Sequence, residues 1–302
     1  MVSRGGRRIN IERIGIRKRH FGDLYHQMLE TTWAQLLGLF VLLYVAGNTL
    51  FAALYMLEPG AIQNARLGSF ADSFYFSVQT MATIGYGQMV PQTTYAHLLV
   101  ATEALTGLLG TAMATGLMFA KFSRPSARVM FGKTATVTLR DGVPSLMFRM
   151  ANTRGNQIVD ANLKVVFART EVTREGEEIR RLYDLKLVRH HMVSFTLTWT
   201  AVHPINADSP LYGQSSDSLM ASQSELIVSL VGIDETMSQT VHVRWSYIGD
   251  EIQWGARLRD VILRAPDGHR YVDYSFFHDV VPDPAAPPGA DLGTVDSAVV
   301  ET

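Results

Sequence analysis

Two apolar runs, at 33–57 and 92–120, stand apart from a chain whose second half mixes polar and apolar positions. From Trp33 to Leu57 the first run is interrupted only by Gln35, Asn48 and a few small polar residues. At about 1.5 Å per residue, a helix over 33–57 crosses a hydrocarbon core of about 30 Å. Trp33 and Tyr55 stand near its ends, where interfacial aromatic belts form, and Glu58-Pro59-Gly60 stops it. The second run predicts a spanning helix over 94–120, apolar except for Glu103 and scattered threonines. Its Gly107, Gly110 and Gly116 allow close helix packing and local bending, with Gly107 the candidate hinge. Between the two runs, Ser69-Phe70-Ala71-Asp72 starts a shorter helix over 69–81, with Ser69 as N-cap and Asp72 in the first turn. That helix is too short to cross a bilayer.

Periodicity also changes at the flanks. Over residues 21–32, Phe21, Leu24, Tyr25, Met28 and Leu29 share one helical face, and Asp23, His26, Gln27 and Glu30 share the other. This segment reads as a helix lying in the membrane interface; the alternative is the first turns of one long helix. Residues 122–133 read as a linker. From Thr134 to about 281 the apolar segments are short, β-branched or alternating, as in 134–139, 145–150, 163–167, 195–199, 225–230 and 241–245. Turns such as Asp141-Gly142 separate them, which predicts a β-sandwich of the immunoglobulin-like class. Residues 282–302, rich in Pro, Ala and Gly, read as a disordered tail.

Charge orients these parts. Residues 1–20 form a basic arm, with Arg4, Arg7, Arg8, Arg13, Arg17, Lys18 and Arg19 against Glu12. Ile9, Ile11, Ile14 and Ile16 suggest a short docked strand; a disordered arm over 1–8 is the alternative. Lys121, Arg124, Arg128 and Lys133 follow the second span, and Arg66 is the sole Lys or Arg between Arg19 and Lys121. By the positive-inside rule both termini are cytoplasmic and the 58–68 loop faces outward. Arg17, Lys18, Arg19, Lys121, Arg124 and Arg128 then gather near the inner leaflet, where anionic phospholipid or phosphoinositide headgroups are candidate ligands. Topology alone is the other explanation for these charges. A net charge of −1 gives no electrostatic footprint for nucleic acid, and none is expected as a partner. The absence of cysteine removes disulfides, thiol catalysis and Cys-ligated metals. The histidines, at 190, 191, 203, 242, 269 and 278 among others, are too dispersed for a metal site. No acid, base and nucleophile cluster, so an enzyme is not expected, nor is an organic cofactor.

The chemistry lies in Thr83-Ile84-Gly85-Tyr86-Gly87, directly after the short helix. Alternating glycines permit backbone dihedrals that point successive carbonyls one way. Four copies around an axis make rings of carbonyl oxygen that replace the hydration shell of a potassium ion, as in the T-V-G-Y-G selectivity filter. Ile84 in place of valine keeps the β-branch. The short helix aims its negative C-terminal end at the same axis. The reading is a two-helix pore domain over 33–121, with outer helix, pore helix, filter and inner helix, assembled as a homotetramer that conducts K+. The competing reading is a membrane-anchored ligand-binding or sensor protein whose pore is vestigial.

The order of parts over residues 20–280 resembles the inward-rectifier potassium channels, specifically their bacterial group. Outside the filter the resemblance rests on Arg124-Pro125, the stretch from His203 to Gly213, the stretch from Asp250 to Gly255, and Tyr271 to His278, which matches the last strand of that family. The resemblance implies a homotetramer in which Thr83 supplies the innermost ion site and Ile84, Gly85 and Tyr86 the other carbonyls. It implies a cavity-facing position at Thr111 and an inner-helix constriction at Phe119, for which a lipid-facing or packing aromatic is the alternative. Residues 111, 115 and 119 share one helical face, which adds Thr115 to the cavity lining. It also implies a second constriction in the loop from Ile252 to Val261, and Mg2+ or polyamines as candidate intracellular blockers. Glu251, Glu175 and Glu177 are candidate acids of a cytoplasmic vestibule, Glu251 foremost because of its motif; solvated surface charge is the other reading for each. Three departures stand out: neutral Thr111, which argues against steep rectification; Gln79, where the family often has glutamate; and no outer-loop cysteine pair. Glu103 is left with two readings, an acid that tunes ion occupancy or a protonated or hydrogen-bonded structural group.

Overall fold

A computed structural model of the chain describes residues 24–124 and 127–283. The expected basic arm, Phe21 at the head of the interfacial helix, and the tail beyond 283 lie outside the described residues. The chain forms two compact units that divide after Arg124.

In the first unit, α1 (Leu24–Glu30) and α2 (Trp33–Tyr55) are separate helices. The break is chemical. The Thr32 hydroxyl accepts from Gln35 N at 3.3 Å, and the Gln35 side chain accepts from Thr32 N at 3.0 Å. This reciprocal cap satisfies the first free amides of α2 and starts a new helix there. Two short strands, β1 (Ile62–Gln63) and β2 (Val90–Pro91), pair antiparallel. Between them lies α3 (Phe70–Met81), capped by the Ser69 hydroxyl accepting from Asp72 N at 3.2 Å. The last helix, α4 (Thr94–Phe122), is capped by Thr93 and runs past the expected 120. Both α2 and α4 are long and apolar enough to cross a membrane. Phe51, Tyr55, Ile62, Phe76, Met81 and Ala96 make a small core. Tyr55 meets Phe76 edge-on, with ring centroids 5.1 Å apart.

Glycines set how closely the helices approach. Met81, the last residue of α3, is held between α2 and α4. An added Cβ at Gly47 would lie 3.5 Å from Met81 Cε. At Gly107 it would lie 2.5 Å from the Met81 carbonyl oxygen, too close without a backbone shift. Close approach therefore accounts for the glycine at 107, the position read from sequence as a hinge.

The second unit is a sandwich of two five-stranded sheets. One sheet is built from β6 (Ile158–Val172), β7 (Glu178–Asp184), β8 (His191–Phe195), β10 (Glu225–Asp234) and β11 (Gln239–Ile248), in the order β11-β10-β6-β7 with β8 also on β6. The other holds β3 (Val129–Phe131), β4 (Ala135–Arg140), β5 (Val143–Asn152), β9 (Thr198–Pro204) and β12 (Ile252–Trp254), in the order β12-β4-β5-β3 with β9 on β5. Leu226, Val228 and Leu230 alternate inward on β10 and face Leu146, Phe148 and Met150 of β5 in one core cluster. Phe131 stacks on Trp245 at 5.5 Å.

Strand β5 is buried on both faces. Its second face is covered by β13 (Ala256–Leu258), β14 (Ile262–Arg264), β15 (Arg270–Val272) and β16 (Val280–Pro282) with their connections. Arg149, 3% exposed, reaches from β5 to this layer. It donates to the carbonyls of Phe277 at 3.0 Å and Phe276 at 3.2 Å, and to that of Arg259. A short helix, α5 (Ser216–Ala221), completes the unit.

Four sequence expectations change. Residues 129–131, assigned to the linker, pair with β5 because Phe131 is needed in the core. The single strand expected over 195–199 is two strands: Phe195 ends β8 in one sheet and Thr198 begins β9 in the other. Phe195 and Trp199 still meet, at 5.9 Å, because the chain crosses between sheets inside the core. The segment from Tyr271 to His278 is no single strand. After β15, Asp273 accepts from Ser275 N at 2.9 Å and turns the chain into a 3-10 helix over Tyr274–Phe276. The sandwich also extends beyond 281, since Asp283 N donates to Gly255 O at 2.9 Å and the Thr138 hydroxyl meets the Asp283 carboxylate.

Two predictions follow from this packing. Gly107→Ala forces backbone against backbone and costs about 1–3 kcal/mol, read as a lower melting temperature of the purified protein. Buried His203 bonds the Lys186 carbonyl through Nδ1 at 2.7 Å and the Ser209 hydroxyl through Nε2 at 2.8 Å. Burial holds its pKa below the ordinary value. The folded chain thus binds fewer protons than the unfolded chain. Stability is complete above the unfolded pKa of about 6.5 and falls as pH drops through and below it. Melting curves between pH 8 and pH 5 should show this loss reduced in His203→Gln.

Candidate functional site

The segment Thr83–Gly87 leaves α3 through a tight wrap. Thr83 N donates to Thr80 O at 3.0 Å and Ile84 N to Gln79 O at 2.8 Å. From there regular hydrogen bonding stops. Thr83, Gly85 and Gly87 have φ of 57°, 59° and 80°. Every second residue is therefore left-handed, which brings successive carbonyls towards one side. Glycine takes this conformation without strain. Thr83, β-branched, takes it at a cost of about 1–2 kcal/mol. Strained backbone of this kind persists only where its surroundings fix it. Among the described residues no hydrogen bond reaches the carbonyls of residues 83–87, and residues 82–88 are exposed. Tyr86 is 75% exposed.

Behind this segment lies a buried polar network. The Ser77 hydroxyl of α3 meets Asn48 Oδ1 of α2 at 3.0 Å and also meets Glu103 Oε1 of α4. Tyr55 OH of α2 donates to Glu103 Oε2 at 2.8 Å. Asn48 Nδ2 donates to Tyr44 O at 2.7 Å and points at Met81 Sδ, 3.4 Å away. Asn48, Ser77 and Glu103 are fully buried and Tyr55 is 2% exposed. The network ties α2, α3 and α4 at the level of the last turn before the pentapeptide. Tyr55, read from sequence as a belt aromatic, is instead a core residue.

In front, the outer loop is clamped without cysteine. Arg66 forms a two-pronged pair with Asp72, Nε to Oδ2 at 3.0 Å and Nη2 to Oδ1 at 2.9 Å. Arg66 N adds a third bond to the same carboxylate at 2.9 Å. Asn64 Nδ2 donates to Gln88 O at 2.7 Å and Gln92 N to Ala61 O at 2.9 Å, flanking the β1–β2 pair. This holds both ends of the 83–87 segment.

Thr111, Thr115 and Phe119 are all exposed on α4, with Phe119 at 72%. Lys121 and Arg124 turn towards α1. Lys121 Nζ bonds Leu29 O at 3.1 Å and also Thr31 O, and lies 5.6 Å over the Trp33 ring. Arg124 reaches Leu29 O at 3.5 Å. These cations cap the free carbonyls at the end of α1. Arg128 is exposed in the second unit. Arg17, Lys18 and Arg19 lie outside the described residues.

The three candidate vestibule acids occupy two separate places. Glu175 and Glu177 sit in the exposed turn from β6 to β7, where the Thr173 hydroxyl lowers the pKa of Glu175. Glu251 follows β11; its carboxylate accepts from Ile248 N at 3.2 Å, and burial raises its pKa. The stretch from Ile252 to Val261, expected as a loop, is largely strand. Ile252 and Val261 are buried anchors, and Arg257, Arg259 and Asp260 are exposed between them.

Sequence reasoning missed Asn48, Ser77, Tyr55 and the Arg66–Asp72 clamp as parts of this site. The usable signal for Asn48 was a polar amide inside an apolar span. Ser77 gave none, since one serine in a short helix carries no pattern.

Comparison with known proteins fits this geometry. Residues 37–124 match the ion channel family, and residues 129–289 match the inward rectifier potassium channel C-terminal domain. The chain is 44% identical to the inward rectifier potassium channel Kirbac3.1 of Paramagnetospirillum magnetotacticum, over 90% of this chain and 92% of that one. It is 30% identical to the ATP-sensitive inward rectifier potassium channel 12 of Gallus gallus, over 89% of this chain and 68% of that one. To the inward rectifier potassium channel 18 of Homo sapiens it is 30% identical, over 89% of this chain and 67% of that one. With a membrane pore unit, a β-sandwich and these matches together, the chain belongs to the inward rectifier potassium channel family.

Proposed function

We propose that four copies of this chain assemble around residues 83–87 into a membrane pore that passes potassium and excludes sodium. One observation carries this reading: a run of alternating left-handed residues whose carbonyls have no hydrogen-bond partner among the described residues, set between two membrane-length helices. Backbone of that kind survives at membrane depth only if protein buries it or water and ions meet it. Fourfold assembly supplies both conditions. The carbonyls of Thr83, Ile84, Gly85 and Tyr86 then replace the hydration shell of K+.

In this assembly Thr111 and Thr115 line a neutral cavity, and rectification is shallow because Thr111 brings no charge to hold Mg2+ or a polyamine. Phe119, apolar and exposed at the cytoplasmic end of α4, forms the ring that closes by dewetting. Both termini face the cytoplasm of a bacterial cell, as the distribution of Lys and Arg implies. Conduction is passive, and the sandwich couples to the gate. Anionic headgroups bind Arg124, Arg128 and the basic arm at Arg17, Lys18 and Arg19. Lys121, occupied by the end of α1, links lipid contact to α4. Glu251, Glu175 and Glu177 raise cation concentration at the cytoplasmic mouth.

Reconstitution in liposomes tests this. The protein should give rubidium uptake that barium blocks and that sodium does not replace. Gly85→Ala places a side chain on a residue at φ 59°, at a cost of about 1–2 kcal/mol in each subunit. Uptake should vanish while the tetramer persists on size-exclusion chromatography. Undiminished uptake by that variant, or equal passage of sodium by the parent, refutes the assignment.

A further inference from the structure

The network behind the pentapeptide is one hydrogen short. It contains three close oxygen–oxygen contacts: Tyr55 OH to Glu103 Oε2, Glu103 Oε1 to Ser77 Oγ, and Ser77 Oγ to Asn48 Oδ1. A hydroxyl carries a single hydrogen, and an ionised carboxylate and an amide oxygen carry none. Tyr55 and Ser77 therefore fill two contacts of the three. Reversing the Asn48 amide does not help. Its nitrogen lies 2.7 Å from Tyr44 O, which only accepts, so Oδ1 must face Ser77. Moving the Ser77 hydrogen towards Glu103 only transfers the deficit to Asn48.

We infer that Glu103 supplies the missing hydrogen and acts in this network as a donor to Ser77. Every group is then satisfied in a single arrangement: Tyr55 donates to Oε2, Oε1 donates to Ser77, and Ser77 donates to Asn48. Desolvation points the same way. Glu103 is fully buried, and its hydrogen-bond partners among the described residues are two hydroxyls and no cation. An unpaired charge there would be costly. Of the two readings that the sequence left for this acid, a charge acting on ions at a distance gives way to a hydrogen-bonded group.

The donor has a positional consequence. Ser77 is one turn before Met81, and Met81 is the residue gripped by Gly47, Asn48 and Gly107. A donor at 103 fixes the rotation of α3 about its own axis, and the pentapeptide begins where that helix ends. Glu103 is thus a positioning residue for the conduction path, a statement that rests on the proposed channel function; its role as a donor does not.

Glutamine is the informative substitution, because its amide donates to Ser77 and accepts from Tyr55. The experiment pairs infrared difference spectra of the lipid-reconstituted parent and E103Q proteins with rubidium and sodium uptake by the parent, E103Q and E103A. A carbonyl band of a neutral carboxylic acid should be present in the parent and missing from E103Q. E103Q should keep rubidium uptake within about twofold of the parent, and E103A, which leaves the buried Tyr55 hydroxyl without an acceptor and Ser77 without a donor, should lose about tenfold or more. No such band in the parent overturns the donor assignment. E103Q as inactive as E103A overturns the positioning role assigned to the donor. Full selective uptake by E103A overturns the positioning role. A parent that takes up no rubidium refutes the channel reading, and the infrared band then still judges the donor by itself.

Discussion

The carbonyl oxygens of residues 83–87 have no hydrogen-bond partner among the described residues, and the rest of the pore unit is arranged around that fact. A carbonyl taken out of water without a hydrogen bond costs about 1–3 kcal/mol, and here several exposed ones follow in sequence. Folding one subunit cannot repay this. In the proposed assembly repayment comes from outside the subunit, through neighbours that wall off lipid and ions that take the oxygens as ligands. The two spanning helices, the re-entrant α3 and the clamped outer loop keep those oxygens aligned until that happens.

Alignment is maintained from two sides by different chemistry. In front, where water is near, an ion pair works: the Arg66 guanidinium grips the Asp72 carboxylate with two parallel bonds and leaves the loop little freedom. Behind, away from water, the contacts are neutral hydroxyls, an amide and an acid on three helices. Apolar packing alone would attract α3 to α2 and α4 without fixing its rotation, because dispersion has little directional preference. Hydrogen bonds do fix it. Gln79, where the resemblance implies a glutamate, brings no charge to the end of α3. The network from Asn48 to Tyr55 supplies the connection from elsewhere in the sequence.

The β-sandwich solves a separate problem. Its central strand β5 is covered on both faces, by the opposite sheet on one side and by the layer from 256 to 283 on the other. Arg149 is the only charge on that strand, and it is spent on main-chain carbonyls of the covering layer. The last part of the unit is thereby fastened to its middle. The family-like stretch around Ile252 to Val261 hangs between two buried anchors, with its charged residues outward.

The length of two apolar runs located α2 and α4, because a lipid-crossing helix leaves an unbroken imprint on the chain, and the capping pattern at Ser69 to Asp72 located the 12-residue α3. The pentapeptide was equally legible, since two glycines around a tyrosine have few other uses at that place. Boundaries in the sandwich were less so. Phe195-Thr196-Leu197-Thr198-Trp199 alternates like one strand, yet it belongs to two, because alternation records which side chains face inward and not which sheet supplies the partner. The same limit hid the site's support. Asn48, Tyr55, Ser77 and Glu103 lie up to 55 positions apart, and nothing local marks them as neighbours. The order of residues therefore determined that a carbonyl-lined loop would sit between two membrane helices. Tertiary structure decided which polar groups stand behind it, since hydrogen bonds between helices depend on rotation and distance, quantities that no single stretch of chain contains.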